Sequence, residues 1–88
     1  MNRSSLLLSR KDALQILSEE RGRSPAHPLD PSLISKWCAD LSFEVGLQEF
    51  DEEQMAQLRA MNQHYACGGS RTELLEKMRN PEWYQSLN

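Results

Sequence analysis

Residues 50–78, FDEEQMAQLRAMNQHYACGGSRTELLEKM, constrain this chain more than any other stretch, because they spell out two helix starts and the stop between them. Asp51 stands as an N-cap with Gln54 at the position that returns the bond, and Phe50 before it is placed to staple onto Met55. Met55, Leu58, Met61 and Tyr65 recur at helical spacing as a buried stripe. Gly68 supplies a left-handed stop. Ser70 then opens another helix with Glu73 as its reciprocal partner, Leu74, Leu75 and Met78 follow, and Asn80-Pro81 closes it. The pair reads as scaffold, a helical brace against which another element can be held.

The same punctuation is found upstream. Ser9 caps a first helix with Asp12 at the box position, Ala13, Leu14, Ile16 and Leu17 form its apolar stripe, and Gly22 ends it. RGRSPAHPLDP follows as a loop holding three of the four prolines. A second helix opens with Asp30 as N-cap and Pro31 at the first helical position, with Leu29 stapled to Ile34. Leu33, Ile34, Trp37, Cys38 and Leu41 share its inner face; Ser32, Ser35, Lys36 and Ala39 lie opposite. SFEVGLQEF alternates Phe43, Val45 and Leu47 with polar residues or glycine, the period of a short strand or extended link. The spacing therefore predicts helices at about 9–21, 31–41, 52–67 and 71–79, an extended link over 42–50, and a tail over 80–88 that lays Trp83 and Tyr84 on the core. The expected fold class is mainly α, a small four-helix domain spanning 1–88.

With 88 residues, 39% apolar and 26% charged, the composition suits one small globular domain with little room for an enclosed cleft. The run at 6–8 is too short for a signal peptide and no apolar stretch could span a bilayer, so no membrane association is expected. Two cysteines, Cys38 and Cys67, give no disulfide framework, and a reducing, cytoplasmic home follows as the expectation. The net charge of −3 is unevenly spread. Residues 1–36 carry six basic against four acidic groups, a net +2; residues 37–88 carry four against nine, a net −5. Such polarity can offer one face to a polyanion and withhold the other.

Nucleic acid is the first class these residues suggest. A helix burying one side while exposing Ser32, Ser35 and Lys36 suits the recognition helix of a helix-turn-helix, which offers short donors and a base to the major groove. Arg10, Lys11, Arg21 and Arg23 would hold the phosphate backbone, which supplies most of the affinity.

The order of elements resembles the MerR-type helix-turn-helix family: a helix pair, a short β wing, a helix opened by an aromatic residue and an acidic run, and a Gly-Ser turn into a last helix. FDEEQMAQLRAM and GGSRTELLEKM carry the likeness, which runs over roughly residues 8–79 and is specific only in 50–78. The turn RGRSPAHPLD is longer than that family's, and Gln48 stands where it usually carries an arginine. No long dimerisation helix and no effector domain follow in this sequence. The resemblance implies a MerR-like winged helix-turn-helix in reduced form, a small regulator or excisionase-like accessory factor whose partner is duplex DNA.

A second class is a helical protein-interaction module, an adaptor or regulatory subunit with no DNA binding of its own. Two tryptophans, two tyrosines, two phenylalanines and four methionines are well suited to partner surfaces. Its anchors would be Trp83 and Tyr84 with the acidic run Asp51, Glu52 and Glu53, against a protein partner or a second copy of the chain. Zinc held by His27, Cys38, His64 and Cys67 is disfavoured, since Cys38 falls on an apolar face and no C-x-x-C pair exists. No metal or cofactor is expected. Nor is catalysis: the carboxylate run suits a helix dipole, and CGGS follows a helix rather than a strand.

Overall fold

Four helix starts set the frame of the computed structural model, which describes residues 7–24 and 26–85. The elements are β1 (Leu8–Ser9), α1 (Arg10–Glu20), α2 (Ser32–Asp40), β2 (Glu49–Phe50), α3 (Glu52–Ala66) and α4 (Arg71–Lys77), followed by a 3₁₀ turn at Trp83–Gln85. The described residues are thus mainly helical, with one two-stranded sheet among them. Residues 1–6 and 86–88, which fall within the expected domain and tail, lie outside the described residues.

The starts of α3 and α4 follow their sequence signals closely. The Asp51 carboxylate accepts from the Gln54 backbone N–H at 2.7 Å, and the Gln54 side-chain oxygen accepts from the Asp51 N–H at 2.9 Å. Ser70 and Glu73 repeat the reciprocal pair at 3.2 and 2.9 Å. Each box satisfies two backbone donors that the helix itself leaves without partners. Ser9 caps α1 by accepting from the Asp12 N–H at 3.1 Å, but the cap is one-sided. Asp12 is one methylene shorter than the glutamate of a full box. α2 begins one residue later than expected, at Ser32. Pro31 nevertheless has helical dihedrals, and the Asp30 carboxylate accepts from the Ser32 N–H at 3.0 Å.

The core forms where α1 and α2 pack on α3. Leu17, Ile34, Phe50, Leu58, Met61 and Leu74 are fully enclosed, each worth about 1.5–3 kcal/mol relative to exposure. Trp37 stacks on Tyr65 with ring centroids 5.7 Å apart and planes 19° off parallel. Two buried polar side chains link separate parts of the chain. The Ser18 hydroxyl accepts from the Leu29 N–H at 2.9 Å, fixing the loop before α2. The Asn62 carboxamide donates to the Leu17 carbonyl at 3.0 Å, joining α3 to the last turn of α1.

The link at 42–50 differs from its period-two reading. Only Glu49–Phe50 is a strand, and it pairs antiparallel with Leu8–Ser9 rather than with its own neighbours. Ser42 (φ 62°) and Gly46 (φ 78°) turn the backbone, and the Leu47 N–H closes a turn onto the Glu44 carbonyl at 3.2 Å. Val45 is consequently 97% exposed while Phe43 and Leu47 remain half-buried. Leu75, read as part of the α4 stripe, is 40% exposed. Of the two tail aromatics expected on the core, Trp83 packs against it, whereas the Tyr84 hydroxyl is turned to Glu53.

Candidate nucleic-acid interface

Arg10 organises the surface that the sequence marks as basic. Its guanidinium donates through Nη1 to the Leu47 carbonyl at 2.7 Å and through Nη2 to the Ser35 hydroxyl at 2.7 Å. Its backbone N–H donates to the Gln48 carbonyl at 3.2 Å. One half-buried side chain therefore ties the start of α1 to the outer face of α2 and to the 42–48 turn. The planar fork of arginine suits two acceptors in different directions.

This arrangement places Arg10, the chain neighbour of Lys11, beside the face of α2 that carries Ser32, Ser35 and Lys36. Lys11, Ser32, Ser35 and Lys36 are all exposed. Beneath them, Ile34, Trp37 and Cys38 are buried, as the helical spacing requires. Burial pushes the Cys38 thiol up from its ordinary range, outweighing the opposite pull of Arg10. At the start of α2, the bond from the Ser32 backbone N–H holds the Asp30 carboxyl below its usual value, helped by the Ser32 side chain and by Lys36.

Arg21 and Arg23 stand apart from that cluster. They follow the last residue of α1, an 11-residue helix and so about 16 Å long at 1.5 Å per residue. Arg21 is half-buried, with its Nε 3.4 Å from the Asn62 carbonyl of α3. Arg23 is exposed in the following loop. The other arginines near these helices are engaged with carboxylates. Arg59 pairs with Glu20 at 2.6 Å, and Arg71 grips both Asp40 oxygens at 2.8 and 3.3 Å, tying the start of α4 to the end of α2.

The residues named for protein contact have internal work. Asp51 is the α3 cap, and Glu53 accepts from the Tyr84 hydroxyl at 2.6 Å. That bond, the largest influence, raises the Tyr84 phenol above its ordinary range. Trp83 and Tyr84 are half-buried and meet edge to face, with centroids 5.8 Å apart. Glu52 is exposed and carries no bond of this kind among the described residues.

Sequence reasoning considered His64 only as a metal ligand. In the fold it is buried at 7% exposure, with Nε2 2.8 Å from the Ser70 carbonyl oxygen and Nδ1 3.1 Å from the Lys77 Nζ. Gly69 is the signal that was available: its α-carbon faces the imidazole, and a Cβ there would meet the ring at 2.4 Å. Among the described residues no group of three or more His, Cys, Asp or Glu side chains converges as a metal site would require. No helix among them is long and apolar enough to cross a membrane.

Comparison with known proteins adds no relative: no family model, no curated protein and no solved structure matches this chain.

Proposed function

We propose that this chain is a duplex-DNA-binding module of reduced, MerR-like winged helix-turn-helix type, serving as a small regulator or an excisionase-like accessory factor. α2 lies in the major groove. Ser32, Ser35 and Lys36 reach base edges or phosphates, and Arg10 and Lys11 approach the flanking backbone. The observation that supports this reading best is the Arg10–Ser35 bond at 2.7 Å. It joins the basic start of α1 to the exposed face of α2, so groove and backbone contacts fall on one surface. Arg21 and Arg23, at the far end of α1, can only meet phosphates further along the duplex.

Fluorescence anisotropy against duplex fragments, at low and near-physiological salt, tests the assignment. Selective binding with a negative salt slope is expected. Lys36→Gln should make that slope shallower by about 0.9 for one lost phosphate contact. Unchanged affinity and slope in a folded Lys11→Gln/Lys36→Gln double variant would end the reading.

The protein-interaction reading is favoured by one observation of its own. Val45 projects at 97% exposure from a turn flanked by Glu44, within the acidic part of the chain. An exposed apolar tip beside carboxylates suits a partner with an apolar socket and a basic rim. Absence of DNA binding at every salt concentration, together with loss of a purified partner's affinity in Val45→Asp, would establish it in place of the first.

A further inference from the structure

A cavity of about 730 Å³ opens between the end of α3, α4 and the 3₁₀ turn, on residues that the DNA reading does not use. That volume lies within the range of small-molecule sites. Ala60 and the Trp83 ring contribute apolar wall, and His64 and Gly69 also line it.

Charge sets what can enter. The Ser70 carbonyl can only accept, so His64 Nε2 carries the proton, and Nδ1 of the neutral ring accepts from Lys77. Lys77 therefore spends one N–H on a neutral acceptor, and among the described residues no carboxylate lies within ion-pair distance of it. Two glutamates share the cavity wall, and each has its own hydrogen-bond or ion-pair partner, although the Glu73 charge is also felt by Lys77 and His64. Glu73 accepts from the Ser70 N–H at 2.9 Å, and Glu76 faces Arg79 at 3.7 Å. An ammonium held in place by a buried ring, with N–H groups to spare beside an apolar wall, matches an anion carried on a flat apolar body.

We infer that this cavity binds a small aromatic carboxylate, its carboxylate on the Lys77 ammonium and its ring against Trp83 and Ala60. The inference stands apart from the DNA reading and survives its failure.

The test is a titration of the full chain with benzoate, followed by two-dimensional proton–nitrogen NMR, with benzamide as the uncharged isostere. Saturable shifts are expected at the Gln63, Gly69, Lys77 and Asn80 amides and the Trp83 indole. Benzamide should bind about tenfold more weakly, as should benzoate to Lys77→Gln, while Lys77→Arg keeps binding within about threefold. The benzamide comparison and Lys77→Arg decide the matter even if Lys77→Gln disturbs His64. Absence of saturable shifts, equal binding of benzamide, equal binding to folded Lys77→Gln, or shifts centred elsewhere would each overturn the inference. So would inorganic phosphate binding as tightly as benzoate, since no aromatic body would then be needed.

Discussion

Gly69 lies directly under the His64 ring, so close that a Cβ on Gly69 would come within 2.4 Å of two ring atoms. The α3–α4 turn is built around that approach. The Gly69 N–H donates to the His64 carbonyl at 3.0 Å, and the imidazole donates onward to the Ser70 carbonyl. The neighbouring Gly68 has a different reason to be glycine. Its φ is +88°, in open space, where side chains are disfavoured by backbone conformation alone.

The two glycines therefore fail differently when substituted. Gly69→Ala has to displace a buried ring, which should destabilise by about 1–3 kcal/mol. It should also alter the His64 and Lys77 resonances. Gly68→Ala should cost about 1 kcal/mol through backbone strain and leave those resonances in place. Urea unfolding with NMR spectra of both variants checks this. Equal losses with an unmoved His64 in Gly69→Ala would mean that the turn backbone, not the ring, makes room for the added Cβ.

The α4 cap predicts an acid limb of stability. The Ser70 backbone N–H is the chief cause holding the Glu73 carboxyl below its ordinary value of 4.5. The Ser32 backbone N–H likewise holds Asp30 below 3.8. A carboxyl depressed in the folded state contributes stability that is fully present above its unfolded value. It is lost as pH falls through the folded one. Stability should therefore be flat near neutrality and decline below about pH 4.5, more shallowly in Glu73→Gln and Asp30→Asn than in the parent chain. Denaturant midpoints measured from pH 6 to pH 2.5 decide the point; parallel curves would remove both groups from the acid transition.

The two cysteines should react in sequence. Cys67 is exposed at the end of α3. Cys38 is 6% exposed, and burial raises its thiol away from the reactive thiolate. A thiol-specific chromogenic reagent should label one group per native chain at once and the second only with denaturant. Rapid labelling of both would mean that α2 opens readily from α3.

These contrasts mark what the sequence could carry. The starts of α3 and α4 were legible because Asp51–Gln54 and Ser70–Glu73 are three residues apart, and such local hydrogen bonds leave a fixed spacing. The outward residues of α2 were legible for the same reason of period. The 42–48 segment was not: Phe43, Val45 and Leu47 alternate like a strand, but positive φ at Ser42 and Gly46 breaks the alternation into turns. The pairing of Leu8 with Phe50 joins residues far apart in the chain, and no local pattern encodes it. Asn62 and His64 look like surface polar residues on a helix until the α1 terminus and the glycine turn close over them. The internal bonds of Arg10, a residue expected to hold phosphate, were not legible, because its acceptor, the Leu47 carbonyl, lies 37 residues away.

That double role makes Arg10 the most informative position to change. Its guanidinium spans Leu47 and Ser35, two acceptors that one ammonium cannot satisfy in the same fork. Arg10→Lys keeps the charge and should lose stability by about 1–2 kcal/mol, less than a fully buried charged bond would cost because the site is half exposed. Its salt slope for DNA should change little, whereas Lys36→Gln should keep stability and flatten the slope. If Arg10→Lys instead leaves stability intact and abolishes DNA binding, Arg10 is a groove or phosphate contact released from Ser35 on binding. If both variants leave binding untouched while Arg10→Lys unfolds more readily, the cluster is a structural clamp and α2 is not the DNA-facing element. Thermal melts and anisotropy on the same two variants separate these outcomes.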